Sequence, residues 1–327
     1  MPSSDRISVE QQRARQLRDQ LPSLAASVRV LVVGDIMLDR YWFGDVSRIS
    51  PEAPVPVVQI RNRDDRLGGA ANVARNITAL GAQATLVGTI GQDEAGACLK
   101  ALLAQHQITP FLDADPRVTT RVKLRVLSRQ QQMLRIDFDM HISGASFIDN
   151  AQILTLLKSH DVLVLSDYAK GVLCEPQALI SAARACGVPV LVDPKEADFS
   201  RYAGATILKP NMSEFALAAG KSSNEDELSD KAQSLRHSLN VNYLVLTRSE
   251  HGMSFFDDQG IQYFPAQVRE VFDVCGAGDM VVTMMATLFA AGVEPGVSAW
   301  LANRAAGMTV SRLGAAAVTK DELVASF

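Results

Sequence analysis

The feature that most constrains this chain is a set of short, uninterrupted apolar runs, several ending in a small or acidic residue. Val30-Leu31-Val32-Val33-Gly34-Asp35 is the first; Ala84 to Gly88, Val162 to Asp167, Val188 to Asp193, Ala205 to Leu208 and Tyr243 to Thr247 follow. A strand with one wet face alternates apolar and polar residues. A run that is apolar at every position has both faces covered, as buried parallel strands do. Between several runs lie Ala- and Leu-rich segments of helical character, such as Asn72 to Leu80, Pro176 to Cys186 and Ser213 to Ala219. Strands alternating with helices predict an α/β fold: a central, mostly parallel sheet with helices on both faces. In such sheets ligands sit beyond the carboxyl ends of the strands, where Asp35, Asp167, Asp193 and Thr247 fall.

Two segments break the rhythm. Tyr41 to Arg63 carries Pro51, Pro54 and Pro56 among Val55, Val57, Val58 and Ile60. Thr119 to Asp139 alternates, with Val122, Leu124 and Val126 on one face and Arg121, Lys123 and Arg125 on the other. Both read as strands of a small separate sheet, placed to form a lid over the strand ends. The expected organisation is a helical extension over residues 1–27, with a helix from about Val9 to Leu24, then one domain over 28–327. Its lid strands fall at about 41–63 and 119–139.

With 327 residues, 47% hydrophobic, the chain can bury a large core. Its net charge of -4 speaks against a general affinity for nucleic acid or anionic membranes, and makes any basic cluster more informative. Cys98, Cys174, Cys186 and Cys275 form no C-x-x-C pair, which fits a reducing compartment without a zinc site. The polar N-terminus lacks the apolar core of a signal peptide, and Met280 to Val293 is too short to cross a bilayer. A soluble, cytoplasmic protein is expected.

Four motifs carry possible chemistry. In Asp273-Val274-Cys275-Gly276-Ala277-Gly278-Asp279, small residues open an apolar helix whose free amides and dipole suit an anion. Asp279 is placed to take a proton from an attacking hydroxyl, with a pKa expected to be held low by the helix terminus; taken alone, the motif reads more readily as a helix cap. Leu67-Gly68-Gly69-Ala70-Ala71-Asn72 exposes amides that suit sugar hydroxyls, or is an ordinary loop and helix start. Asn211 and Glu214 lie three apart across a helix start, so they either serve a phosphate and a metal-bound water or form a capping box. Thr247 to Gly252 is a strand end and turn that could face a nucleotide.

In this order the motifs resemble the ribokinase-like (PfkB) family of carbohydrate kinases, over essentially the whole chain from Val30 onward. Gly34 to Trp42, Ser47 to Val57, Lys123 to Arg129, Leu165 to Gly171 and Leu246 to Glu250 are similar to family members whose acceptor is D-glycero-β-D-manno-heptose 7-phosphate. The resemblance implies ATP as donor, Mg2+ as cofactor, and phosphorylation of the anomeric hydroxyl to a 1,7-bisphosphate for ADP-heptose and lipopolysaccharide core synthesis. Ending at Phe327, the chain is expected to be the stand-alone form rather than one fused to a nucleotidyltransferase domain.

It further implies Asp279 as base, with Gly276, Ala277 and Gly278 forming the anion hole. Asp39, Gly68, Gly69 and Asn72 would hold the sugar, with Asp167 near it. Asn211, Ser213, Glu214, Thr247, Gly252 and Gly278 would serve ATP, and Glu214 the metal through water. Cys275 stands where the family often has Thr, and Met280 where a small or hydroxyl residue usually follows the Asp, a place from which it could crowd the helix start or alter the rate.

A phosphorylated acceptor needs a cationic pocket. Arg121, Lys123, Arg125, Arg135, Lys170 and Lys195 are candidates, with Arg125 and Lys170 preferred. Family members often dimerise through the lid, so a homodimer is expected. The alternatives are a kinase of ribose, fructose or fructose 1-phosphate, or a non-catalytic ligand-binding relative. A dinucleotide site is disfavoured, because Gly34 is followed by Asp35-Ile36-Met37 rather than by a glycine pattern.

Overall fold

The first apolar run becomes β1 (Arg29–Gly34), and its alternate residues feed two different cores. Val30 and Val32 join one apolar layer, while Leu31 and Val33 join the other. That is the two-sided burial that an unbroken apolar strand requires. The structure is a computed structural model and describes residues 3–129, 131–139, 150–267, 271–312 and 314–327. Residues 1 and 2 of the extension and residue 130 of the second lid segment lie outside the described residues.

The chain opens with helices α1 (Ser3–Leu17) and α2 (Leu21–Ala26), in place of one helix from Val9 to Leu24. Beyond β1 come β2 (Ile36–Ile49), β3 (Pro56–Gly69), α3 (Ala70–Ala79), β4 (Gln83–Gly91), α4 (Glu94–Gln105), β5 (Thr109–Asp115), β6 (Val122–Ser128) and β7 (Gln131–Phe138). The second half runs α5 (Asn150–Lys158), β8 (Val162–Ser166), α6 (Pro176–Ala185), β9 (Val190–Asp193), β10 (Ile207–Leu208), α7 (Met212–Ala219), α8 (Glu225–Ser238) and β11 (Tyr243–Thr247). It ends with β12 (Met253–Asp257), β13 (Gly260–Phe264), α9 (Ala277–Ala290), α10 (Pro295–Val310) and α11 (Lys320–Ala325).

Nine strands form the large sheet in the order β13-β12-β11-β10-β9-β8-β1-β4-β5. It is parallel except where β12 and β13 turn back antiparallel at one edge. β1 pairs with β4 on one side and β8 on the other, so the order of connection reverses there and opens a crevice at the carboxyl ends. Helices α3, α4, α9 and α10 pack on one face; α5, α6, α7 and α8 pack on the other.

The lid is a separate sheet in the order β3-β2-β6-β7. Its strands reach further toward the large sheet than the broken segments implied. β2 begins at Ile36, directly after Asp35, and β3 ends at Gly69, directly before α3. β2 and β3 are antiparallel, whereas β2 and β6 are parallel, with Asp39 opposite Lys123 and Tyr41 opposite Arg125. The lid is thereby tied at both ends to the crevice that it borders.

Candidate active site

Asp279 lies in the first turn of α9, whose N-cap Gly276 adopts φ 81 and has no side-chain cap. A β-carbon at Gly276 would lie 2.9 Å from Ala315 Cβ and 3.2 Å from Asn72 Nδ2, so glycine is required twice, by angle and by space. Asp279 does not cap the helix. Its Oδ2 accepts from Asn72 Nδ2 at 2.5 Å and its Oδ1 from the Tyr168 hydroxyl at 2.9 Å. Both partners come from other elements, Asn72 from the first turn of α3 and Tyr168 from the loop after β8. That convergence of three segments on one buried carboxylate is the strongest functional signal in the fold.

The low pKa expected for Asp279 is corrected. Burial raises its carboxyl above the ordinary value and outweighs the hydrogen bonds from Asn72 and Tyr168 and the nearby Lys209, each of which lowers it. A helix terminus supplies a fraction of a charge, whereas loss of hydration acts on the whole carboxylate. Tyr168 is driven well above its usual range, chiefly by burial, so it remains a phenol and a donor. The Tyr168→Phe variant should therefore lose a hydrogen bond that favours the ionised base. Its kcat/KM profile should show the acid limb moved up by about one pH unit, with only a small change near pH 9. An unmoved limb would remove Tyr168 from the base's environment.

The loop bearing Tyr168 is fixed by buried acids. Asp35 accepts from the backbone amides of Tyr168, Lys170 and Val172 at 2.9, 3.0 and 3.2 Å. Asp167 accepts from Ala169 N and from the Tyr202 hydroxyl, both at 2.7 Å, so both its oxygens are engaged away from Asp279. Ala169 holds a left-handed φ of 57, which these bonds enforce. Asp35 and Asp167 thus hold the loop, and Tyr168 is the side chain that reaches Asp279.

Gly68 and Gly69 are the end of β3 rather than a free turn. A β-carbon at Gly68 would stand 2.6 Å from Asp39 Oδ2, and one at Gly69 2.4 Å from the Asp35 carbonyl. They allow the lid root to lie against Asp39, whose Oδ1 accepts from Arg125 Nη1 at 2.7 Å. Arg125 also stacks over Tyr41, its guanidinium 5.1 Å from the ring centre. Lys170 pairs with Asp139, beside Arg121.

On the other side, Asn211 and Glu214 form the capping box: Glu214 N donates to Asn211 Oδ1 and Asn211 N to Glu214 Oε2, each at 2.9 Å. Asn211 also bridges to Thr247 at the sheet edge, and Ser213 Oγ donates to Asn211 Oδ1 at 2.6 Å. Gly252 is a turn glycine at φ 82, where a β-carbon would lie 2.1 Å from the Phe264 carbonyl. Met280 does not crowd the site. It is fully buried in the apolar layer behind α9, because the residue after Asp279 faces the sheet. The Cys275 thiol is pushed up to about 11 by burial and by Asp273, so it stays neutral.

Lys209 has no role in the sequence reading, yet it links the two halves. Its ammonium lies 2.8 Å from Asp193 and 3.3 Å from where a β-carbon of Gly278 would be. Burial lowers it, but Asp193, Glu214 and Asp279 more than compensate, so it is held charged. The available signal was a cation immediately after a strand, in Leu208-Lys209-Pro210-Asn211.

A parallel sheet with a lid and a glycine-turn helix start bearing a buried carboxylate define a sugar kinase of the ribokinase type. The chain belongs to the pfkB family of carbohydrate kinases, whose model matches residues 28–322. It is 50% identical over 299 residues to the D-beta-D-heptose 7-phosphate kinase of Bordetella bronchiseptica, covering 91% of this chain and 96% of that one. It is 52% identical over 295 residues to the bifunctional protein HldE of Pseudomonas fluorescens and 49% over 302 residues to that of Nitrosococcus oceani. These matches cover 90% and 91% of this chain but only 62% and 63% of those longer proteins. In fold it is similar to Arabidopsis thaliana ribokinase complexed with ribose and ATP, with TM-score 0.75, 18% identity and coverage of 91% and 98%. Escherichia coli phosphofructokinase-2 in complex with substrates and products gives TM-score 0.74 at 20% identity, with coverage of 90% and 97%. Among the described residues no helix is long and apolar enough to cross a membrane.

Proposed function

We propose that this chain transfers the γ-phosphoryl group of ATP to the anomeric hydroxyl of a heptose 7-phosphate, giving the 1,7-bisphosphate and ADP in the cytoplasm. The observation that carries the chemistry is the buried Asp279 carboxylate, oriented by Asn72 and Tyr168 at the glycine-lined start of α9. The acceptor is suggested by the Bordetella kinase, which matches nearly the whole chain.

Asp279 takes the hydroxyl proton as the sugar oxygen bonds to the γ-phosphorus and the bond to ADP breaks. A raised pKa makes this carboxylate a stronger base than an exposed one. Asn72 Oδ1 is buried with no partner among the described residues, and a sugar hydroxyl donating to it would satisfy it. Asp39, Gly68 and Gly69 border the same acceptor space. Gly276, Ala277 and Gly278 offer first-turn amides to the transferring phosphoryl group.

Asn211, Ser213, Thr247 and Gly252 mark the nucleotide side of the sheet edge. Among the described residues no three metal-ligating side chains converge. The buried Glu214 carboxylate, shared by Asn211 N and Lys195, fits outer-sphere contact with a Mg2+ held by ATP phosphates and water. The ion would neutralise phosphate charge during transfer. The lid's last strand exposes Met133, Leu134, Ile136 and Phe138, which supports a homodimer through the lid.

The test is ADP release with MgATP and a panel of heptose 7-phosphate, ribose, fructose and fructose 1-phosphate, with phosphorus NMR of the product. Heptose 7-phosphate should lead in kcat/KM by at least about 100-fold, with the new ester at the anomeric carbon. A lead by ribose or fructose would overturn the reading.

A further inference from the structure

A substrate that already carries a phosphate must find a cation not committed to the protein's own acids. Five of the six basic candidates are committed. Arg125 is bound to Asp39 at 2.7 Å, and Arg135 to Asp137 at 2.9 Å. Arg121 and Lys170 share Asp139, and Lys195 lies 3.1 Å from Glu214.

Lys123 is the exception. It stands on β6 directly opposite Asp39 of β2 and Asp137 of β7, the two carboxylates that register would offer it. Each is taken instead by an arginine two residues along β6 or β7. Lys123 is left part-buried, with no hydrogen bond or ion pair to a carboxylate among the described residues. Its ammonium instead lies against an aromatic ring, 5.4 Å from the centre of Tyr168. Burial lowers its pKa, and the nearby Asp39 and Asp137 carboxylates offset that only in part.

Tyr168 ties Lys123 to the acceptor side of the crevice. Its hydroxyl is on Asp279 and its ring is against the Lys123 ammonium, so one side chain touches both. A sugar whose reacting hydroxyl meets Asp279 lies under the lid, and a phosphate at its far end falls toward β6. Lys123 belongs to the acceptor side, with Asp39, and not to the nucleotide edge at Asn211 and Thr247.

We infer that Lys123 is the lid cation that binds the acceptor's phosphate, and that the arginine–carboxylate pairs beside it keep it unpaired for that purpose. The inference rests on the proposal that the acceptor is a sugar phosphate. It replaces the preference for Arg125 and Lys170, the first paired with Asp39 and the second held with Arg121 on the single carboxylate of Asp139.

The experiment compares wild type, Lys123→Met and Lys123→Arg with heptose 7-phosphate and with unphosphorylated heptose, by steady-state kinetics and by titration of each sugar without ATP. Lys123→Met should weaken heptose 7-phosphate binding and raise its KM by about 10–100-fold, with KM for ATP and affinity for heptose changed less than about two-fold. Lys123→Arg should recover most of the loss, and melting of Lys123→Met should be unchanged or higher, since it removes an unpaired ammonium. If wild type uses heptose 7-phosphate but Lys123→Met weakens both sugars equally, or neither, Lys123 is not the phosphate's ligand. If wild type gains nothing from the phosphate, the acceptor reading itself is wrong.

Discussion

Replacing Asp279 by asparagine is expected to lower kcat by about 1,000-fold or more while leaving the fold and ATP binding intact. Asparagine has nearly the same shape: its Oδ1 can still accept from the Tyr168 hydroxyl, and its Nδ2 can donate to Asn72 once that amide turns its unpartnered Oδ1 toward it, so the pocket persists; what it cannot do is accept a proton. Stability should move the other way from activity. A carboxyl whose folded pKa is raised contributes stability below its unfolded pKa, and that contribution is lost as pH rises through the folded pKa. At pH 8 the ionised, desolvated Asp279 therefore costs the fold something, and the neutral amide relieves it. Melting of the variant at pH 8 should be equal to or above wild type, and the gain should disappear toward pH 4. The wild-type kcat/KM should fall in acid with an apparent pKa above 3.8, the ordinary value for this group. Retained sugar phosphorylation in the asparagine variant would mean that Asp279 is not the base.

What could be read from the sequence was whatever chain-local physics fixes. Unbroken apolar runs such as Val30 to Val33 can be little other than strands buried on both faces, and they locate β1, β4, β8, β9, β10 and β11 within a few residues. The lid was legible as a small separate sheet, but its pairing was not, because the parallel pairing of β2 with β6 joins residues more than 80 apart, as Asp39 to Lys123 shows. Glycine motifs marked where Asp279 and Asn72 would sit. The partners of the charges were hidden, since an arginine in sequence does not reveal which acid will claim it. Arg125 therefore looked free and Lys123 ordinary, whereas the side-chain contacts give Asp39 to Arg125 and leave Lys123 against the Tyr168 ring. The raised pKa of Asp279 was also out of reach, because it comes from burial produced by α3, α9 and the loop after β8 together. Asp167 stood out at a strand end, yet its neighbour Tyr168 carries the contact to Asp279.

Lys209→Met should produce the largest loss of stability of any single change at the site, about 3–5 kcal/mol by urea unfolding at pH 8. The side chains of Lys209 and Asp193 are only 4% and 13% exposed, so removing the ammonium leaves a carboxylate with neither water nor counter-ion. Burial already raises Asp193, and Lys209 is the first influence opposing that rise. Without it, Asp193 should hold its proton to still higher pH, and a carboxyl with a raised folded pKa loses its stabilising contribution as pH climbs. The deficit against wild type should accordingly be larger at pH 9 than at pH 6. Adding Asp193→Asn to Lys209→Met removes the stranded charge and should restore most of the stability. Activity should not follow. Lys209 Nζ lies 3.3 Å from where a β-carbon of Gly278 would be, so on the proposed reading its charge adds to first-turn amides that bind the transferring phosphoryl group, and kcat of the double variant should remain about 100-fold low. Recovery of both stability and kcat would make Lys209 a structural partner of Asp193 alone. Recovery of stability without kcat would show that the buried cation acts on the reaction as well as on the fold.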